Sequence, residues 1–201
     1  MTTPEERDPV TGPVHVLLDV DGVINSVRFG KPPRDGWERH KKYKHIFSDA
    51  YEGSNLAGQS HGAFTIKYSP DLIDALNALA ARPNVSFHWL TTWLSEARYG
   101  LGPRVGLEGS NRWPVLGVAE QTIYQGRGWW KLKAAQAHAE ANPDARVVWI
   151  DDDLVHDTEA IEWFEVIWPR MLLVMPESEV GLTPEHIAEI EAFIEGREVD
   201  E

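Results

Sequence analysis

"VHVLLDVDGVIN", residues 14 to 25, runs an apolar segment directly into two aspartates one residue apart, Asp19 and Asp21, and then into Gly22. The short, β-branched "VHVLLDV" (14 to 20) predicts a central strand buried on both faces. Carboxylates crowded at a strand end repel one another unless a positive group stands between them. That requirement directs attention to what the rest of the chain brings to the same place.

Other strands follow. "AFTIKY" (63 to 68), "VSFHWL" (85 to 90), "RVVWI" (146 to 150) and "RMLLVM" (170 to 175) read as strands, and "WPVLGV" (113 to 118) as a further one. Helices are expected from Ser69-Pro70 through "DLIDALNALAA", over "WWKLKAAQAHAEA" (129 to 141), and over "TPEHIAEIEAFIEG" with Thr183 as cap, Pro184 in the first turn and Gly196 at the exit. Strands alternating with helices predict an α/β fold, a Rossmann-like doubly wound parallel sheet, in which ligands bind at the carboxyl ends of the strands. Three strands deliver polar residues at that end: Asp19, Thr91 and Asp151.

The predicted organisation is a flexible tail over 1–13, one domain over 14–196 and a C-terminal tail over 197–201. An insert over about 26–62, rich in Gly, Pro, Lys, Asp and Ser, is expected to form a small cap or flap. Within it, residues 28 to 45 hold Arg28, Lys31, Arg34, Arg39, Lys41, Lys42 and Lys44 against only Asp35 and Glu38. The whole chain of 201 residues nevertheless carries a net charge of -13, which argues against general affinity for nucleic acid or anionic membrane. With no cysteine there are no disulfides, thiolate metal sites or cysteine nucleophiles. Neither a signal peptide nor an apolar run of membrane-spanning length is visible, and a cytoplasmic location is expected.

Taken in order, "LLDVDGV", "FHWLTT", "WWKLK" and "VVWIDDD" resemble the four motifs of the haloacid dehalogenase-like (HAD) hydrolase superfamily, over residues 14 to about 175. The resemblance implies a magnesium-dependent phosphohydrolase. Asp19 would be the nucleophile forming an aspartyl-phosphate, and Asp21 the acid and base, with its backbone carbonyl on the metal. Thr91 would hydrogen-bond a phosphoryl oxygen, with Thr92 its rival; Lys131 would balance charge, with Lys133 its rival. Asp19, Asp21, Asp151 and Asp152 would hold Mg2+, and which of Asp151 and Asp152 binds directly stays open. Asp153 would cap the following helix. Gly22, Thr92, Trp93 and Arg28 are expected at the substrate. First motifs of many family phosphatases end in Thr, whereas here Asp21 is followed by Gly22, Val23, Ile24 and Asn25.

"WLTTW", "WWK" and "VVWIDDD" with a minimal cap look like a HAD branch found as a domain in RNA-repair proteins, where a polynucleotide-end phosphatase role has been inferred. The expected partner is a phosphorylated substrate, either a small molecule or a nucleic-acid end. Of nine tryptophans, Trp89 and Trp149 read as core, while Trp93 and Trp130 would rim the pocket. The eight histidines suggest no metal site, with His15 and His88 as core-strand residues whose hydrogen bonds are satisfied. Two other readings compete: a non-catalytic phosphate- or nucleotide-binding module of the same fold, and a receiver-like signalling domain. The order of motifs disfavours the latter, because the acidic run follows the lysine.

Overall fold

The computed structural model describes residues 12–28, 38–44, 63–117 and 129–197, with the backbone alone for 38–44 and 63–65. The remainder of the expected tails and of the insert, and residue 118 of "WPVLGV", lie outside the described residues.

Four strands form a parallel sheet in the order β4-β1-β5-β6. These are β1 (Val14–Leu18), β4 (Val85–Trp89), β5 (Arg146–Ile150) and β6 (Met171–Val174). The strand period of two sorts their side chains onto two cores. Val16, Leu18, Phe87, Trp89, Val148 and Ile150 face one side, with α1 (Pro70–Ala80) and α5 (Pro184–Ile194). Leu17, Val147, Trp149 and Met171 face the other, with α3 (Trp130–Ala141) and α4 (Thr158–Ile167). Helices on both faces explain why the strands read as continuous apolar runs rather than as alternation. Trp89 and Trp149 are core residues, as their strand positions imply.

"AFTIKY" becomes β3 (Ala63–Tyr68), but outside the parallel sheet. It pairs antiparallel with β2 (Glu38–Lys44), the basic "ERHKKYK", in a separate two-stranded sheet. This pair anchors to the main body where Ser26 N and Lys67 N donate to Lys67 O and Asn25 Oδ1 respectively, each at 2.9 Å. "WPVLGV" makes no strand of its own. Trp89 N donates to Pro114 O and Leu116 N to Trp89 O, giving an isolated bridge at Val115 beside β4. Pro114 cannot donate, so the ladder stops at one bridge. Between β4 and that bridge lies a five-residue π-helical turn (Ala97–Leu101), followed by the short α2 (Gly102–Val105).

Thr183 Oγ1 accepts from His186 N while His186 Nδ1 accepts from Thr183 N, so the expected cap of α5 is a reciprocal capping box with Pro184 in the first turn. Among the described residues no helix is long and apolar enough to cross a membrane.

Candidate active site

The ladder of the parallel sheet continues one residue past β1, β4 and β5. Asp19 N donates to Ile150 O, Leu90 N to Leu18 O, and Asp151 N to Val174 O. Asp19 and Asp151 therefore leave adjacent strands at the same level, and both are buried. The chain then turns sharply: Val20 O accepts from the backbone N of Val23, Ile24 and Asn25. Gly22 takes φ 70°, in the left-handed region where a side chain is disfavoured. A Cβ at Gly22 would stand 2.1 Å from Asp152 Cγ, so the missing side chain is what lets that carboxylate approach the turn.

Carboxylate oxygens of Asp19, Asp151 and Asp152 lie within 4.8 Å of one another. Into this cluster α3 inserts Lys131 from its first turn. The ammonium donates to Asp19 Oδ2 at 2.7 Å and to Asp151 Oδ2 at 2.8 Å, with the lysine fully buried. Burial alone would lower its pKa, but the two carboxylates outweigh burial and raise it, so the group stays charged. The Asp151 carboxyl is pushed well up, by burial first and by Asp19 second, with Lys131 pulling the other way. Asp152 is raised by burial and eased down by a hydrogen bond with the Ser178 side chain. Asp19 and Asp151 thus share one ammonium with Asp152 beside them, and among the described residues the three carboxylates of the cluster outnumber the one cation bonded to it. A hard divalent cation fits such an all-oxygen donor set.

Asp21 is not part of the cluster. Its Oδ2 accepts from Trp93 Nε1 at 2.7 Å and its Oδ1 from Asn25 Nδ2 at 2.6 Å. Burial raises its pKa, and these two donors partly reverse the shift. Trp93 is buried, so it holds Asp21 in place instead of rimming an open pocket. Trp130, the first residue of α3, is likewise buried in the core. Asn25 is the residue that sequence reasoning missed. It grips Asp21 with its amide N and the β3 backbone with its amide O, four residues after the aspartate it holds.

Thr91 is fully buried at the end of β4, and its Oγ1 accepts from Trp93 N at 3.3 Å. Leu94 completes that turn at φ 46°, unusual for a branched residue. Thr92 and Lys133 are exposed, unlike Thr91 and Lys131. Arg28 is also exposed, and its backbone N donates to Ser26 Oγ at 3.4 Å. The helical turn Asp152–His156 is capped by Asp151, whose Oδ1 accepts from Asp153 N, so the cap expected of Asp153 belongs to Asp151. A groove of about 440 Å³ lies along the outer side of β4, lined by Asn77, Phe87, Glu108 and Trp113. None of the acidic cluster reaches it.

Two buried aspartates on neighbouring strands, a lysine between them and a third acid beside them stand at the carboxyl edge of a parallel sheet. The sequence model of one family, described as the HAD domain in Swiss Army Knife RNA repair proteins, matches residues 15–187. The chain belongs to that family. No curated protein and no solved structure gives a significant match. The HAD assignment agrees with the parallel sheet and with the order of the four motifs along it.

Proposed function

We propose that this HAD domain is a magnesium-dependent phosphohydrolase that releases phosphate from a nucleotide or polynucleotide end. The observation that carries the reading is the cluster of Asp19, Asp151 and Asp152 with Lys131 buried between the first two. Phosphate monoesters repel anionic nucleophiles, so a site that attacks them needs its charge neutralised before the attack.

Asp19 is the nucleophile. Its carboxylate oxygen bonds to phosphorus as the bond from phosphorus to the ester oxygen breaks, and Asp21 delivers its proton to that leaving oxygen. Asp21, ionised by that transfer, then takes a proton from a water that attacks the aspartyl-phosphate, releasing phosphate and restoring the Asp19 carboxylate. The opposing influences on Asp21, burial against the Trp93 and Asn25 hydrogen bonds, suit a group that must both give and take a proton. Lys131 stays charged throughout and offsets the negative charge on Asp19 and the phosphoryl group. Thr91 offers a hydroxyl at the end of β4 for a phosphoryl oxygen, with Gly22, Thr92 and Arg28 toward the substrate and Trp93 acting on it through Asp21, which it holds. Mg2+ held by Asp19, Asp151, Asp152 and the Asp21 carbonyl would supply Lewis-acid neutralisation of the phosphoryl oxygens.

The RNA-repair proteins named for the family and the basic sequence of β2 favour a polynucleotide end over a free metabolite. The test is phosphate release, with and without magnesium, from an aryl phosphate, nucleotides and oligonucleotides bearing terminal phosphates. Release should require magnesium, be greatest with the oligonucleotides, and vanish in Asp19→Asn, which is nearly isosteric. Undiminished release by that variant removes Asp19 as nucleophile, and no release from any substrate by folded protein removes the phosphatase reading.

A further inference from the structure

Away from the carboxylates, three histidines from three elements meet on the α3 side of the sheet: His15 on β1, His88 on β4 and His138 on α3. Their ring centroids are 4.5–5.1 Å apart. One nitrogen from each ring lies within 4.8 Å of the other two, and His15 Nδ1 stands 2.8 Å from His138 Nε2. His88 is buried, and its Nδ1 has no hydrogen-bond partner, whereas sequence reading expected it to be satisfied. Among the described residues no carboxylate partners the three rings. Burial, and for two rings the neighbouring imidazoles, hold all three below their ordinary range, His88 and His138 at about 4. At neutral pH each ring is therefore uncharged and carries a lone pair.

A packed core would replace such a trio with apolar residues, since a buried ring nitrogen without a partner costs stability. A tetrahedral zinc ion with bonds of about 2.0–2.1 Å sets its ligand nitrogens roughly 3.4 Å apart, so shifts of an ångström or less bring the three rings onto one ion. His15 and His138 are half-buried, which gives an ion a way in and leaves a coordination position for water.

We propose that His15, His88 and His138 form a second metal site, for a divalent first-row transition cation such as Zn2+, separate from the oxygen-lined cluster. Three neutral imidazoles select such a cation, as hard carboxylates select magnesium. No net proton need leave. In the free protein one of His15 and His138 donates its N–H to the other, and on binding that ring moves its proton to its outer nitrogen, freeing both facing lone pairs. The site lies below the active edge: His15 precedes Asp19 by four residues, about 13 Å of strand. His138 follows Lys131 by seven residues, two turns along the same helix face. The bound ion would tie α3, and with it Lys131, to β1 and β4.

The experiment uses untagged, chelator-stripped full chain kept in excess magnesium, so that the carboxylate cluster is already supplied, and titrates it with Zn2+ by calorimetry. One equivalent should bind and raise the Tm by ~5 °C at saturation. The Co2+ form should show the intense visible absorption of a tetrahedral site. His138→Gln and His15→Gln, checked for native circular dichroism, should each weaken binding on the order of 100-fold, while Asp152→Asn leaves it unchanged. Absence of zinc binding, binding undiminished in both histidine variants, or binding lost only in Asp152→Asn each overturns the site. Phosphatase activity enters none of these readouts, so the two proposals fail independently.

Discussion

Lys131 brings an ammonium to a place where Asp19 and Asp151 already stand buried on adjacent strands, and each carboxylate gives it one oxygen. Removing one member of a buried charge group leaves the others uncompensated, at a cost of about 3–5 kcal/mol. Lys131→Met should therefore lower stability on the order of 3 kcal/mol in chelator and reduce phosphate release at least ~100-fold. Added magnesium should recover part of the stability, because a cation can replace the lost charge, but not the activity. Lys133→Met, at an exposed position, should stay within about 0.5 kcal/mol of the parent and keep its activity. Urea unfolding with and without magnesium, alongside phosphate release, decides it. Equal loss in the two variants would remove the special position of Lys131.

At the scale of elements, α5 shows how a helix end is held by the sheet face it packs on. Its apolar stripe, Ile187, Ile190 and Ile194, packs with α1, and Arg82 reaches Glu191 and Glu195 at 3.2 Å from the α1 side. Its last turn exposes carbonyls that no intrahelical N–H can reach. Arg146, buried at the start of β5, donates to Ile194 O and also to Phe193 O, which accepts from Gly196 N as well. Arg146→Leu should cost roughly 2–3 kcal/mol, a charged donor lost to buried acceptors. Because Arg146 sits at the amino end of β5 and Asp151 at its carboxyl end, the kcat of phosphate release should not change. A parallel fall in kcat would mean that the two ends of the strand are coupled.

Elements and site were legible where a local pattern decides the outcome. Apolar runs meeting Asp19, Thr91 and Asp151 mark buried parallel strands and their carboxyl ends, and Ser69-Pro70 and Thr183-Pro184 mark helix starts. β2 was not legible, because "ERHKKYK" lacks alternation and becomes a strand only by pairing with β3. α4 went unread although Asp157 caps it by accepting from Ala160 N, and of its residues Ala160 alone is fully buried, so it adds little core of its own. The Trp93 and Asn25 grip on Asp21 and the meeting of three histidines depend on the tertiary arrangement. His15 and His138 lie 123 residues apart, and no spacing rule joins them.

Across the whole molecule, two sets of buried titratable groups pull stability in opposite directions with pH. Asp21, Asp151 and Asp152 have raised carboxyls, mainly through burial, so the folded state holds more protons than the unfolded chain and their penalty eases as the pH falls. His88 and His138 titrate at about 4 in the folded protein against an ordinary 6.5, lowered by burial first and by neighbouring rings second. A base depressed in this way binds fewer protons when folded. Its contribution is complete above pH 6.5 and is lost as the pH drops from 6.5 toward 4. His138 is only half-buried, so water screens part of its share, and the pair together should cost on the order of 2 kcal/mol across that window. Urea unfolding in chelator at several pH values isolates this contribution when the parent is compared with His138→Gln, which removes one titrating ring and the repulsion it exerts on His88. The parent should lose stability relative to the variant between pH 7 and pH 4.5, by about 1 kcal/mol or more. A difference that stays flat over that range would mean the rings are not buried together as neutral bases, and that any acid sensitivity belongs to the carboxylates alone.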